Sequence, residues 1–195
     1  CKAYLSKLYP EAAEAIKSLS VAGSGGDSFS MVMPYTSSDG TVTGLVRRYP
    51  SPEGKKIVSA EGTTTYSRWD TTYGLKKKSL YGLHRYVNSK VPLPIVLVEG
   101  YPDAEYLQAK GINVVALGSA IPSGDQLMNL TKFSKLSAIY VSLDNDFVGK
   151  GNVNTLLHTL LDYLTIPIKI LDPSSLEKSK DLDEYFRMLQ LSDPD

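Results

Sequence analysis

The chain is poor in cysteine and histidine and has no long hydrophobic run, and each scarcity removes a class of protein. Its 195 residues hold one cysteine, Cys1, and two histidines, His84 and His158. A single thiol closes no internal disulfide, and no Cys/His cluster is present to make a zinc site. The expectation is a reducing compartment, the cytoplasm. No apolar stretch approaches the ~18 residues that span a bilayer, so no membrane contact is expected. The polar, helix-patterned start CKAYLSKLYPEAAEAIKSL lacks the features of a secretory signal. With no initiator methionine, it reads as part of a longer protein. What is present is a hydrophobic fraction of 42%, enough for a globular core.

Net charge is zero, but the charges are segregated. Residues 44–90 carry ten Lys/Arg against three acids, and residues 91–195 carry eight against fourteen. One half is suited to phosphates by charge, the other through a metal ion.

The pattern changes along the chain. Leu5, Leu8, Ala12, Ala15, Ile16 and Leu19 recur at helical spacing, predicting an amphipathic helix over 3–19. VAGSGGDSF (21–29) matches no phosphate-loop or dinucleotide pattern and reads as a loop. SMVMPY and TVTGLVRRY flank SSDG, which predicts a β-hairpin over 30–49. Residues 50–75 are polar and predict an extended, irregular segment. KKKSLYGLHRYVNSK (76–90) predicts a short basic helix, and VPLP (91–94) a subdomain boundary. From residue 95, apolar strands alternate with helices: IVLVEG, PDAEYLQAKG, NVVALGS, a helix capped by Ser123, SAIYVSLDND, the helix 152–164, IPIKILD and LDEYFRMLQL. That alternation predicts a parallel sheet covered on both faces.

Carboxylates punctuate this second half. Glu99 ends its first strand, and in parallel sheets ligands gather beyond the carboxyl ends of strands. Asp103 follows near the first helical turn. Asp144 and Asp146 are two apart, so a strand running on through them would point both to one side. A lone aspartate at a strand end serves equally well as a helix cap, whereas two adjacent carboxylates repel unless a cation lies between them. Asp181 and Asp183 repeat the spacing, and Asp172 follows the last strand. His158, among leucines, reads as a core or boundary residue. With every donor an oxygen, the expected cofactor is Mg2+, or Mn2+ in its place. A glutamate beside such a site can instead act as general acid or base. Nucleotidyl transfer, strand cleavage with rejoining and hydrolysis all fit.

A glutamate at a strand end followed by Asp-x-Asp after a later strand resembles the Toprim domain. The fuller likeness is to bacterial-type (DnaG-like) DNA primase catalytic cores. VEGYPDA (98–104), LGSAIPSGDQLMNL (117–130) and LDNDFVGKGN (143–152) are similar to successive primase motifs. KDLDEYF (180–186) resembles another, with Leu182 where proline is usual. Upstream, MVMPYTSSDGTVTGLVRRY (31–49) places Gly44 and Arg48 on a Gly-x-x-x-Arg motif. KKIVSAEGT places Lys56 on a motif lysine, with Ser59 in place of asparagine, and KKKSLYGL does the same for Lys76. The shared order runs over residues 30–186.

The resemblance implies an α/β fold: a Toprim-type, mostly parallel sheet flanked by helices, preceded by a smaller basic α+β subdomain. Its boundaries would fall at 1–91, 92–173 and 174–195. It implies DNA primase activity, the joining of ribonucleoside triphosphates on a single-stranded DNA template in replication. Glu99, Asp144 and Asp146 would be catalytic, and with Asp103, Asp181 and Asp183 they would hold the metal and the incoming triphosphate. Arg47, Arg48, Lys56, Lys76, Lys77 and Lys78 would meet template or nucleotide phosphates. Tyr66, Trp69 and Tyr73 suit stacking on template bases, but packing of their own segment is the expectation. A replicative helicase would be engaged through regions outside this chain. The rival expectations are a Toprim nuclease or topoisomerase fragment and a non-catalytic single-stranded DNA binding module. The chain departs from the family in having no Cys/His zinc module.

Overall fold

A computed structural model of the chain describes residues 31–37, 39–49, 55–58, 62, 64–67, 69–72, 78–171 and 179–192. The helix expected over 3–19, the glycine-rich connection, Tyr73, Lys76, Lys77 and Asp172 lie outside these residues. The chain divides into two compact units, Cys1–Leu75 and Lys76–Asp195.

The first unit contains the expected hairpin. Strands β1 (Met31–Thr36) and β2 (Val42–Arg48) pair antiparallel. Met31, Met33 and Tyr35 are buried while Val32 and Pro34 are only partly so, the period-two pattern of a strand with one covered face. The turn is closed by Asp39, whose Oδ1 accepts from the Ser37 hydroxyl at 2.6 Å and from the Thr41 N–H at 2.9 Å. The segment expected to be irregular holds three short strands instead. β3 (Lys55–Val58) pairs with β4 (Thr64–Ser67), and β5 (Trp69–Thr71) adds to β2. Its Thr and Val residues favour extended backbone, but the lack of apolar alternation concealed the strands.

The second unit is built on a four-stranded parallel sheet in the order β7-β6-β8-β9. The strands are β6 (Leu93–Val98), β7 (Val114–Ala116), β8 (Leu136–Ser142) and β9 (Ile168–Ile170). Helices α1 (Tyr101–Ala109), α2 (Gly124–Lys132) and α3 (Phe147–Tyr163) form the crossovers, and α4 (Leu182–Ser192) follows β9. Right-handed crossovers put α1 on one face of the sheet and α2 and α3 on the other. Helix α4 packs against α1, and α2 against α3. Ile95, Leu97, Val115, Ile139 and Val141 are wholly buried, with Leu127, Leu130, Leu156 and Leu160 closing over them. Each such side chain stabilises the fold by ~1.5–3 kcal/mol. Pro94 is tolerated in a central strand because the β6–β8 register slips between Leu93 and Pro94.

Three sequence expectations change here. The 76–90 stretch is not one helix: among its described residues Lys78 is helical, Ser79 and Leu80 are not, and a 3-10 turn follows at Leu83–Arg85. Gly82 precedes it at φ 87, a left-handed conformation that stops an α-helix. Tyr81 instead pairs with Ala116 at the β7 edge, N–H to carbonyl in both directions at 3.0 Å. The Tyr81 hydroxyl donates to Glu105 Oε1 at 2.7 Å, and Arg85 donates to the same oxygen. Helix α3 also begins earlier than expected, at Phe147, and His158 lies on its exposed face.

Candidate metal centre

Strand β6 ends at Val98, and its chain turns through Glu99 and Gly100 into α1. Pro102 and Asp103 lie in the first turn of that helix, where a fixed φ and a negative charge are both favourable. Asp183 occupies the equivalent first turn of α4, just after Asp181. Carboxylate oxygens of Asp103, Asp181 and Asp183 lie within 4.8 Å of one another. Asp183 is only 3% exposed. The Asp181 Oδ1 accepts from the Glu184 N–H at 3.0 Å, and Arg187 stands 4.0 Å from Asp183 one helical turn on.

Strand β8 stops at Ser142, short of the acidic pair. Asp144 and Asp146 therefore sit in a loop, with distinct surroundings. Asp146 is the N-cap of α3, its Oδ1 accepting from the Gly149 N–H at 2.8 Å. Asp144 turns toward α4, where the Lys180 ammonium lies 2.5 Å from its Oδ2. A Cβ on Gly149 would overlap the Asp144 carbonyl oxygen, so only glycine lets the helix start this close to the loop.

The electrostatics follow from crowding anions in a half-buried place. Burial pushes the Asp103 carboxyl well above the usual carboxylate range, and the charges of Asp183, Asp181 and Asp144 push it further, against the pull of Lys180. Burial, then the hydrogen bond to and charge of Asp183, raise Asp181 to about 7. Asp144 is raised chiefly by burial, with Lys180 opposing. For Lys180 itself, burial disfavours its charge, but the bond to Asp144 and the charges of Asp144, Asp181 and Asp103 prevail and raise its pKa. Such a cluster is relieved by protons or by a cation. Its all-oxygen donor set fits a hard divalent ion.

The structure thus brings Asp103, Asp181 and Asp183 together, with Asp144 beside them. Glu99 stands at the end of β6, outside that group of three; its carbonyl accepts from the Gly118 N–H at 2.9 Å. Among the basic residues, Arg47 pairs with Asp70 at 2.5 Å and Arg48 lies over the Trp69 ring, 5.9 Å from its centroid. Lys56 is in β3 opposite Tyr66, and Lys78 is exposed. The sequence reading assigned no role to Lys180 or to Asn145 between the two aspartates. The signal was available: a lysine directly before Asp181, and an amide inside an Asp-x-Asp.

No family model matches the sequence, and no curated protein does. Solved structures do match. A crystal structure of the Aquifex aeolicus primase zinc-binding and RNA polymerase domains aligns over 83% of this chain and 40% of its own, at 24% identity and a TM-score of 0.57. The primase fragment of the bacteriophage T7 primase-helicase aligns over 90% of this chain and 66% of its own, at 17% identity and a TM-score of 0.60. A DnaG primase catalytic domain bound to single-stranded DNA aligns over 90% of this chain and 61% of its own, at 18% identity and a TM-score of 0.56. The chain thus spans between 40% and 66% of these three structures. Its fold is the expected α/β arrangement, a mostly parallel sheet flanked by helices with two small antiparallel sheets before it in the chain. More narrowly, it is the fold of DnaG-type primase catalytic cores. No helix among the described residues is long and apolar enough to cross a membrane.

Proposed function

We propose that this chain is the polymerising core of a DNA primase, joining ribonucleotides on a single-stranded DNA template with a divalent metal, Mg2+ or Mn2+. The observation that carries the reading is the Asp103–Asp181–Asp183 cluster, held beyond the carboxyl ends of parallel strands in a fold shared with primase catalytic cores. These three residues would hold one ion, and Asp144 would contribute to metal binding once the triphosphate arrives. A divalent ion there offsets the charge of a triphosphate and of departing pyrophosphate. Asp146 adds its charge beside Asp144 while capping α3. Glu99, at the end of β6, accepts the proton of the primer 3′-hydroxyl. Arg47, Arg48, Lys56, Lys76, Lys77 and Lys78 meet template or nucleotide phosphates, contacts that position the strand without reading its sequence. A replicative helicase is the partner through regions beyond this chain, and the working compartment is the cytoplasm.

The test is primer synthesis on single-stranded template with labelled ribonucleotides. Wild type should make short RNA only with Mg2+ or Mn2+ present. Asp183→Asn and Asp144→Asn should each lower the rate at least ~100-fold with unchanged circular dichroism. Near-normal synthesis by Asp183→Asn, or metal-dependent plasmid nicking without synthesis, would refute the assignment.

A further inference from the structure

The turn before α4 is fastened to the β8–α3 loop by Asn145. Its backbone N–H donates to the Lys180 carbonyl at 2.5 Å, and its side-chain Nδ2 donates to the Ser179 carbonyl at 3.0 Å. Ser179 is 1% exposed. The Lys180 N–H donates in turn to Glu184 Oε2 at 2.6 Å. The backbone at Lys180 is therefore held on both sides, by the loop and by the helix. From that anchored point its side chain reaches back across the acidic residues. The ammonium lies 2.5 Å from Asp144 Oδ2 and 3.7 Å from Asp181 Oδ2. Asp144 and Asp181 side chains are each 17% exposed, whereas that of Lys180 is 60% exposed.

A compact ammonium in that place acts as a cation already present. It neutralises Asp144, and a dication seeking the same carboxylate oxygen meets a like charge at hydrogen-bonding distance. Asp181 meets that ammonium only at the longer 3.7 Å, against 2.5 Å for Asp144, and Asp103 and Asp183 make no ion pair with it among the described residues, so those three carboxylates stay more open to metal than Asp144. We propose that Lys180 is a resident counter-ion that occupies the Asp144 side of the cluster, so that the metal-free protein takes one divalent ion, at Asp103, Asp181 and Asp183, and a second at Asp144 is held off. The inference rests on the metal-binding reading above and adds to it the number of ions and the residue that sets it. Lys180 is a positioning residue here: it acts through Asp144, and its exposed stem can swing out into solvent.

The experiment counts bound Mn2+ by the electron paramagnetic resonance of the free ion, with no nucleotide present. Wild type should bind one Mn2+ per chain in the range where Lys180→Met binds two, the second ion gaining roughly tenfold in affinity. Lys180→Arg should keep one. Lys180→Met combined with Asp144→Asn should return to one, because the oxygen released by the first change is removed by the second. Lys180→Gln, which keeps a polar head without charge, repeats the test should the methionine variant melt early. Equal number and affinity in wild type and both neutral variants overturns this inference alone. No Mn2+ on any of the proteins overturns the metal-binding reading, and this inference with it.

Discussion

Asp181 shows how a single side chain makes the site sensitive to pH. Its carboxyl titrates at about 7 in the folded protein against an ordinary value of 3.8. Between those values the folded chain keeps a proton that the unfolded chain has released. Stability is therefore lost as pH rises through that window and regained in acid. The melting temperature of the metal-free protein should fall between pH ~4 and ~7, and Asp181→Asn should fall less over the same range. Adding Mg2+ should raise the melting temperature more at pH ~8 than at pH ~5, because protons compete for the same oxygens. An identical slope for wild type and Asp181→Asn would show that the proton resides elsewhere. At this scale the sequence announced the residue types and their spacing. It could not announce that Asp146 would cap a helix while Asp103 joined the cluster: both are aspartates beside a strand end, and only the strand's stop at Ser142 separates their roles.

Helix starts decide where the carboxylates stand. Ser123 caps α2 with a full capping box, its hydroxyl accepting from the Gln126 N–H at 3.2 Å while Gln126 Oε1 accepts from the Ser123 N–H at 2.9 Å. Ser123→Ala should cost ~1 kcal/mol of stability and leave Mn2+ binding unchanged. Gly149 in α3 should behave in the opposite sense to an ordinary helical glycine. Alanine there would normally gain up to ~1 kcal/mol, but its Cβ would meet the Asp144 carbonyl oxygen. Gly149→Ala should therefore cost ~1–3 kcal/mol and weaken Mn2+ binding as the loop shifts. Chemical denaturation paired with Mn2+ titration separates the two cases. The Ser123 cap and the alternation of strands and helices were legible, because both are local. The short strands within 50–75 and the 3-10 turn at Leu83–Arg85 were not. Pairing across the sheet made the first, and one left-handed glycine interrupted the second.

For the whole molecule, segregated charge matters more than net charge. A neutral chain with its bases concentrated in residues 44–90 should bind single-stranded DNA without metal. For about three phosphate contacts, affinity should drop by roughly twentyfold between ~50 and ~200 mM salt. A chelator should leave that binding intact while abolishing primer synthesis. Fluorescence anisotropy of a labelled oligonucleotide measures the binding and incorporation of labelled ribonucleotides the synthesis, and salt-independent binding would exclude the basic stretch as the contact. Fold similarity to primase cores at 24% identity or below is what the ordered motifs lead one to expect. A buried parallel sheet constrains the pattern of apolar residues far more than their identity.

The amino-acid order by itself determined the alternating strands and helices, the hairpin at Asp39, the capped start of α2 and the oxygen-only character of the site. All of these follow from propensity, periodicity and side-chain chemistry within a few residues. Only the tertiary structure decided which carboxylates meet. Asp103 and Asp181 are far apart along the chain, and their approach depends on α4 packing against α1 and on Asn145 fastening the turn at Lys180 to the loop after β8. The physical reason is range. A helix cap or strand is settled by neighbours in sequence, whereas a cluster of like charges exists only where a folded core forces distant segments together.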